Sequence, residues 1–94
     1  MNNFFHLSEI IDVDALQKIQ DYYSKATSLA VVTVDYTGDP ITKFSNFSKY
    51  CSIMREDPEC NDGCCRSDAH GGLEAARIGK PYIYTCHGGL VDFA

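Results

Sequence analysis

Apolar and polar positions alternate along this chain with two different periods, and the changes of period divide it into elements. Leu16, Ile19, Tyr23 and Ala26 recur at helical spacing, with Gln17, Lys18, Gln20, Asp21 and Lys25 between them. That pattern predicts an amphipathic helix that packs its apolar stripe and solvates the rest. Asp12 is the expected N-cap, Asp14 adds negative charge to the first turn, and polar and β-branched residues over 24–28 weaken the far end. Residues 29–35 are rich in β-branched side chains and read as a strand. They are more apolar than simple alternation requires, so both faces are expected to be covered. Residues 36–39 form a turn in which Gly38 can take positive φ, and residues 40–44 return as a short antiparallel strand.

Residues 45–48 lead into a second helical pattern, marked by Phe47, Tyr50, Cys51 and Met54. It should stop at Asp57-Pro58, because the residue before proline avoids the helical region. Asp57 can then cap a further helix, with Pro58 at its first position. That helix runs to about Ile78, with Gly79 as its C-terminal cap. Asp62-Gly63 and Gly71-Gly72 are expected to weaken it and split it in two. Residues 82–86 read as a strand, His87-Gly88-Gly89 as a bend, and residues 90–94 as the start of another strand. The order is α+β: an antiparallel sheet with helices packed on one face, and room for a pocket between the layers. The last strand ends on an apolar pair, so the sheet is expected to be incomplete. Its open edge would allow pairing with a second copy as a homodimer.

Composition narrows the function classes. The 94 residues suit one domain, and a formal net charge of -5 with few, scattered basic residues argues against direct contact with nucleic acid or anionic membranes. No stretch is apolar for long enough to span a bilayer. Residues 1–6 lack the basic and apolar regions of a signal peptide, so a cytoplasmic setting is expected. There is no nucleophile elbow, phosphate-binding loop, dinucleotide fingerprint or zinc-protease motif.

The five cysteines, Cys51, Cys60, Cys64, Cys65 and Cys86, are the chemistry left to place. In a cytoplasmic chain an odd count makes a poor disulfide framework. Cys60 and Cys64 fall on one helical face near a helix N-terminus, where the dipole favours thiolate. Cys51 and Cys86 could join them in a four-thiolate metal site for zinc or an iron–sulfur cluster, with His87 as a substitute ligand. Cys65 would point away. No Cys-x-x-Cys pair is present, and buried structural thiols or a redox pair explain the same residues. Cys86-His87 offers a reactive thiol beside an imidazole, but neighbours on a strand point to opposite faces, so an enzyme is not expected. Asp68 reads as a solvated helix position or a hydrogen-bonding one, and Asp92 as facing solvent or a pocket.

Several of these stretches resemble the PocR family of sensory domains. They are Asp12-Val13-Asp14-Ala15-Leu16-Gln17 at a helix start, residues 35–42, and the Phe47 and Cys51 pair. Cys64-Cys65-Arg66-Ser67-Asp68 is similar to the family's cysteine followed by Ser-Asp. Residues 79–94, with Cys86-His87-Gly88-Gly89-Leu90-Val91-Asp92-Phe93, resemble its Cys-His-x-Gly-Leu-x-Asp-Phe signature. The resemblance covers roughly residues 8–94 and implies a PAS-like variant fold. It further implies a sensory module of prokaryotic transcription regulators or histidine kinases that binds a small hydrocarbon derivative such as a short diol. On that basis residues 1–94 would be the N-terminal and central part of the family's domain, with the kinase or DNA-binding output domain absent from this chain. Cys51, Cys64 and Cys86 match recurring family positions, and with His87 they are the expected ligand-binding residues. Cys60 looks particular to this sequence.

Overall fold

A computed structural model describes residues 7–94. Residues 1–6, including the N-terminal stretch read as lacking a leader, lie outside the described residues. A single helical turn, α1 (Leu7–Ile10), precedes α2 (Val13–Thr27). The Asp12 carboxylate accepts from the Asp14 amide at 3.0 Å and caps α2 as expected. Ser28 closes it in the left-handed region, so the polar residues over 24–28 mark the end of the helix without shortening it.

The packed face of α2 is not the apolar stripe. Ile19, Tyr23 and Ala26 are exposed and Leu16 is half-buried, while Gln20 and Ser24 are buried. The reason is the segment that lies across the helix. Gln20 Nε2 donates to Val31 O at 3.2 Å, Lys43 O at 2.9 Å and Ser45 Oγ at 2.8 Å. Its Oε1 accepts from Thr33 Oγ1 at 2.9 Å and Thr42 Oγ1 at 2.6 Å. Buried backbone and hydroxyl groups must be paired, and one glutamine pairs several of them.

The same segment corrects the expected first hairpin. Residues 29–35 and 40–44 form only isolated antiparallel bridges, Val31 to Ser45 and Val34 to Pro40. Between them the Ile41 and Thr42 amides both donate to Thr33 O, at 2.8 and 3.4 Å. The Thr33 amide turns to Thr42 Oγ1 at 3.0 Å. Two residues opposite one acceptor interrupt the ladder as a bulge does. The turn itself forms as expected: Gly38 has φ +87° and donates to Asp35 O at 3.0 Å.

Of the following helices, α3 (Lys49–Glu56) starts just after the expected connection over 45–48 and stops at Asp57, and α4 (Pro58–Ile78) begins and ends where the capping signals placed it. Ser48 Oγ accepts from the Cys51 amide, Asp57 Oδ2 from the Cys60 amide, and Gly79 takes the left-handed cap. Helix α4 is continuous through both glycine pairs, contrary to the expected break. Each glycine costs about 1 kcal/mol of helix propensity relative to alanine. Tertiary packing explains two of them. A Cβ on Gly63 would lie 2.7 Å from the His87 ring, and one on Gly71 would overlap the Tyr84 ring. Gly63, Ser67 and Gly71 follow each other at i+4 spacing, so α4 carries a row without bulky side chains. The terminal hairpin lies along that groove.

That hairpin pairs β1 (Ile83–Thr85) with β2 (Val91–Phe93), with Tyr84 opposite Asp92. Flanking backbone bonds extend the pairing to Tyr82 and Ala94. Tyr84 and Asp92 are half-buried toward the helices, while Ile83, Val91 and Phe93 are exposed on the opposite face. Among the described residues this is an α+β arrangement with a two-stranded, incomplete sheet. Cys65 is the one buried apolar side chain among the described residues. It sits where the Gly38 turn meets α4, and a Cβ at Gly38 would overlap the Cys65 carbonyl.

Candidate functional site

The residues that carry chemistry meet where α3, α4 and the hairpin converge. Arg55, in the last turn of α3, pairs with Asp68 of α4 at 2.8 Å. Their side chains are only 9% and 14% exposed. Phe44 and Phe47 stack with ring centroids 4.4 Å apart, and the guanidinium carbon lies 4.9 and 5.5 Å from their centroids. A guanidinium over aromatic faces is favourable, and here the rings also keep water from the ion pair. Arg55 Nη2 is the atom bonded to Asp68, whereas Nη1 is buried and has no hydrogen-bond partner among the described residues.

On the adjoining side, Cys64 Sγ lies 3.3 Å from His87 Nε2. The His87 amide donates to Ser67 Oγ at 3.1 Å, and Tyr50 Oη donates to Gly88 O at 2.7 Å. The bend therefore ties to both helices. Gly63, Ser67, His70, Tyr84 and His87 help to line an open cleft of about 380 Å³ along the groove. His70 meets Tyr82 and Tyr84 edge-on, and these two rings stack at 5.8 Å. A second cleft of about 280 Å³ lies away from the cysteines, by Leu7, Val13, Asp35 and Ile41.

Electrostatics here favour uncharged forms. Burial pushes the Cys64 thiol up; Arg55 partly opposes this, and Asp68, Cys86 and Cys51 add to it. The Cys60 thiol is raised by its hydrogen bond to Asp57, then by burial and nearby acidic charge. Both thiols are thus raised, opposite to the direction that the helix dipole alone would give. The carboxylate that caps α4 occupies the positive end of the dipole and repels a second negative charge. Burial likewise holds up the Cys65 thiol, the Tyr84 phenol and the Asp92 carboxyl, with Asp68 adding to all three.

Of the residues singled out from the sequence, Cys64 and His87 touch. Cys51 and Cys86, both half-buried, lie within electrostatic reach of Cys64. Cys60 stands in the first turn of α4, also within reach of Cys64. Among the described residues no three His, Cys, Asp or Glu side chains are grouped so as to hold a metal ion. Asp68 makes the hydrogen bond that was one of its readings, Ser67 accepts one from the His87 amide, and Asp92 faces inward. Arg55 was missed. Its signal is positional: the stripe of Phe47, Cys51 and Met54 continues through position 55, where a cation falls on the packed face.

No helix among the described residues is long and apolar enough to cross a membrane. No solved structure matches the chain. The regulatory protein PocR of Salmonella typhimurium is 42% identical over 84 residues, which is 89% of this chain and 28% of that protein. The chain therefore spans 28% of the length of this relative. A family model described as the sensory domain found in PocR matches residues 9–94. With nearly all of its length matched, including the cleft-lining half of α4 and the hairpin that closes on it, the chain belongs to the PocR sensory-domain family.

Proposed function

We propose that this chain is a small-molecule sensing module of a prokaryotic signal-transduction or transcription-regulatory system. Its ligand is a small hydrocarbon derivative such as a short diol. The observation that carries the reading is the docking of the terminal hairpin on α4. His87, Asp92 and Tyr84 face the helices there, with His87 against Cys64 of α4 and the Arg55–Asp68 pair between α3 and α4. Cys51 and Cys86 flank this place, and with Cys64 and His87 they are the proposed ligand contacts.

A molecule held at this junction touches the helices and the hairpin at once, so it favours one relative placement over others. That is the requirement for a population shift. An output domain, a DNA-binding unit or a kinase, reads the shift. The module works in the cytoplasm, without membrane or nucleic-acid contact of its own, and performs no catalysis. Pairing along the open sheet edge gives it a route to a homodimer. Titration calorimetry with short diols, alcohols and aldehydes tests the reading; no heat of binding from any of them would remove it.

A second reading is a cysteine-based metal or redox sensor; the Cys64–His87 contact supports it, and a metal-bound form would require Cys51, Cys60 and Cys86 to draw in, since no three such side chains are grouped among the described residues. It predicts stoichiometric zinc or iron after anaerobic purification. Wild-type behaviour of a Cys60→Ser, Cys64→Ser double variant would remove it.

A further inference from the structure

We propose that a second copy of this chain docks on the outward face of α2, the two helices lying parallel. This deepens the homodimer of the reading above by naming its contact, and it stands whether or not a ligand binds. Helix α2 is packed by its polar side. Gln20 and Ser24 are buried, and Gln17 bonds to the Lys43 backbone. At about 100° per residue, the opposite side carries Ala15, Ile19, Tyr22 and Ala26. All four are exposed, Ile19 at 63% and Tyr22 at 72%. Leu16 and Tyr23 form one shoulder of this face, and Lys18 and Lys25 form the other.

The spacing names the occupant. Steps of four, three and four residues are those of a coiled-coil seam, which fits another helix of the same kind. Ile19 then holds the seam position at which a β-branched residue favours two parallel strands, and Ala15 and Ala26 let the helices approach closely at either end. Charge fixes the direction. An antiparallel pair would bring the Lys18 and Lys25 flanks of the two copies together. A parallel pair sets Lys18 against the partner's Tyr23, whose ring face attracts a cation. The exposed parts of these side chains offer about 500 Å² per copy, hence about 1,000 Å² in all, the lower limit for a specific interface. The dimer should therefore come apart at micromolar concentrations. The sheet edge offers less: β1 and β2 are three residues long, and a short edge makes few backbone bonds.

The test is sedimentation velocity of the full chain over a range of micromolar concentrations, with a reductant to keep the free cysteines from cross-linking. Ile19→Lys and Ile19→Glu each set like charges face to face across a parallel seam. Val91→Lys, on the exposed outer face of the hairpin, is the control. Circular dichroism checks that all three are folded. The expected result is a reversible dimer in the wild type and in Val91→Lys. Each Ile19 variant should weaken it by about thirtyfold or more, the scale of an interface hot spot. An equimolar mixture of the two Ile19 variants should dimerise again at low salt, because the lysine of one copy then faces the glutamate of the other. General destabilisation would give no such rescue. A wild type that is monomeric throughout would overturn the inference and mean that something other than a second copy covers this face. Dimerisation that survives in both Ile19 variants would overturn it by moving the contact elsewhere, to the hairpin if Val91→Lys abolishes it. A mixture that stays monomeric while the wild type dimerises would overturn the parallel pairing. None of these outcomes touches the sensing role, which the diol titration tests separately.

Discussion

Replacing Asp68 with asparagine isolates the ion pair that joins α3 to α4. The pair is 2.8 Å long and its members are 9% and 14% exposed, so solvent screening is slight. Removing one partner of a buried pair costs about 3–5 kcal/mol, because the other charge stays buried without compensation. Asparagine keeps an acceptor for Nη2, which places Asp68→Asn lower, at about 2 kcal/mol. A domain of this length with so few buried apolar side chains has about 5 kcal/mol of stability in all. The loss is therefore a large fraction of the whole. Urea unfolding followed by far-ultraviolet circular dichroism measures it. With a slope of about 1 kcal/mol per molar, the midpoint should fall by about 2 M. A double variant, Arg55→Met with Asp68→Leu, should regain most of the loss, since a paired charge is often replaced by apolar packing at little cost. A midpoint for Asp68→Asn within about 0.5 M of the wild type would refute the reasoning, because it would mean that water already compensates the guanidinium.

Three further outcomes follow from particular contacts. Gly38→Ala should destabilise by more than the 1–2 kcal/mol that a left-handed alanine costs, to order of magnitude about 3 kcal/mol, since its Cβ also meets the Cys65 carbonyl. Gly72→Ala, in open space on α4, should instead stabilise by up to about 1 kcal/mol; equal midpoints for the two would contradict this account. The Asp92 carboxyl is raised by burial, so its ionisation opposes folding. The native state is relieved of that penalty below the unfolded value of about 3.9 and bears it as pH rises through the raised folded value. Asp92→Asn should therefore gain stability over the wild type from about pH 4 upward, and a difference independent of pH would exclude the effect. Because the Cys64 thiol is pushed up, iodoacetamide should modify it at pH 7 more slowly than a free cysteine, as read by mass spectrometry, and faster reaction would contradict a protonated Cys64.

The sequence was most legible where one residue decides a boundary. Asp12, Asp57-Pro58 and Gly79 act through their own backbone and side-chain chemistry, and the helices start and stop at them. Positions whose role depends on distant partners were not legible. Gln20 looked like a solvated residue because nothing local shows that five groups from residues 31–45 would gather around it. Gly63 and Gly71 looked like helix breakers because the rings that need their space come from residues 87 and 84. Cys64 and His87 do touch, but the helix dipole alone pointed to a different charge state for the thiol. The dipole argument treated the helix end alone, while the folded protein supplies Asp57 and burial, which keep the thiols neutral. Arg55 sat on a recognisable stripe, yet its pairing with Asp68 became visible only once α3 folded back on α4.

The glycine-lined row on α4 makes the hairpin's seat a matter of rotational phase. Gly63, Ser67 and Gly71 are in line only because each is four residues from the next, and each step of the helix turns the chain by about 100°. One residue inserted between Gly63 and Gly71 would leave every side chain present and every helix cap intact. It would still swing one end of the groove about a quarter-turn away from the other, so that His87 and Tyr84 could no longer both be seated. Substitutions in this stretch are thus tolerated one at a time according to size, whereas its length is fixed.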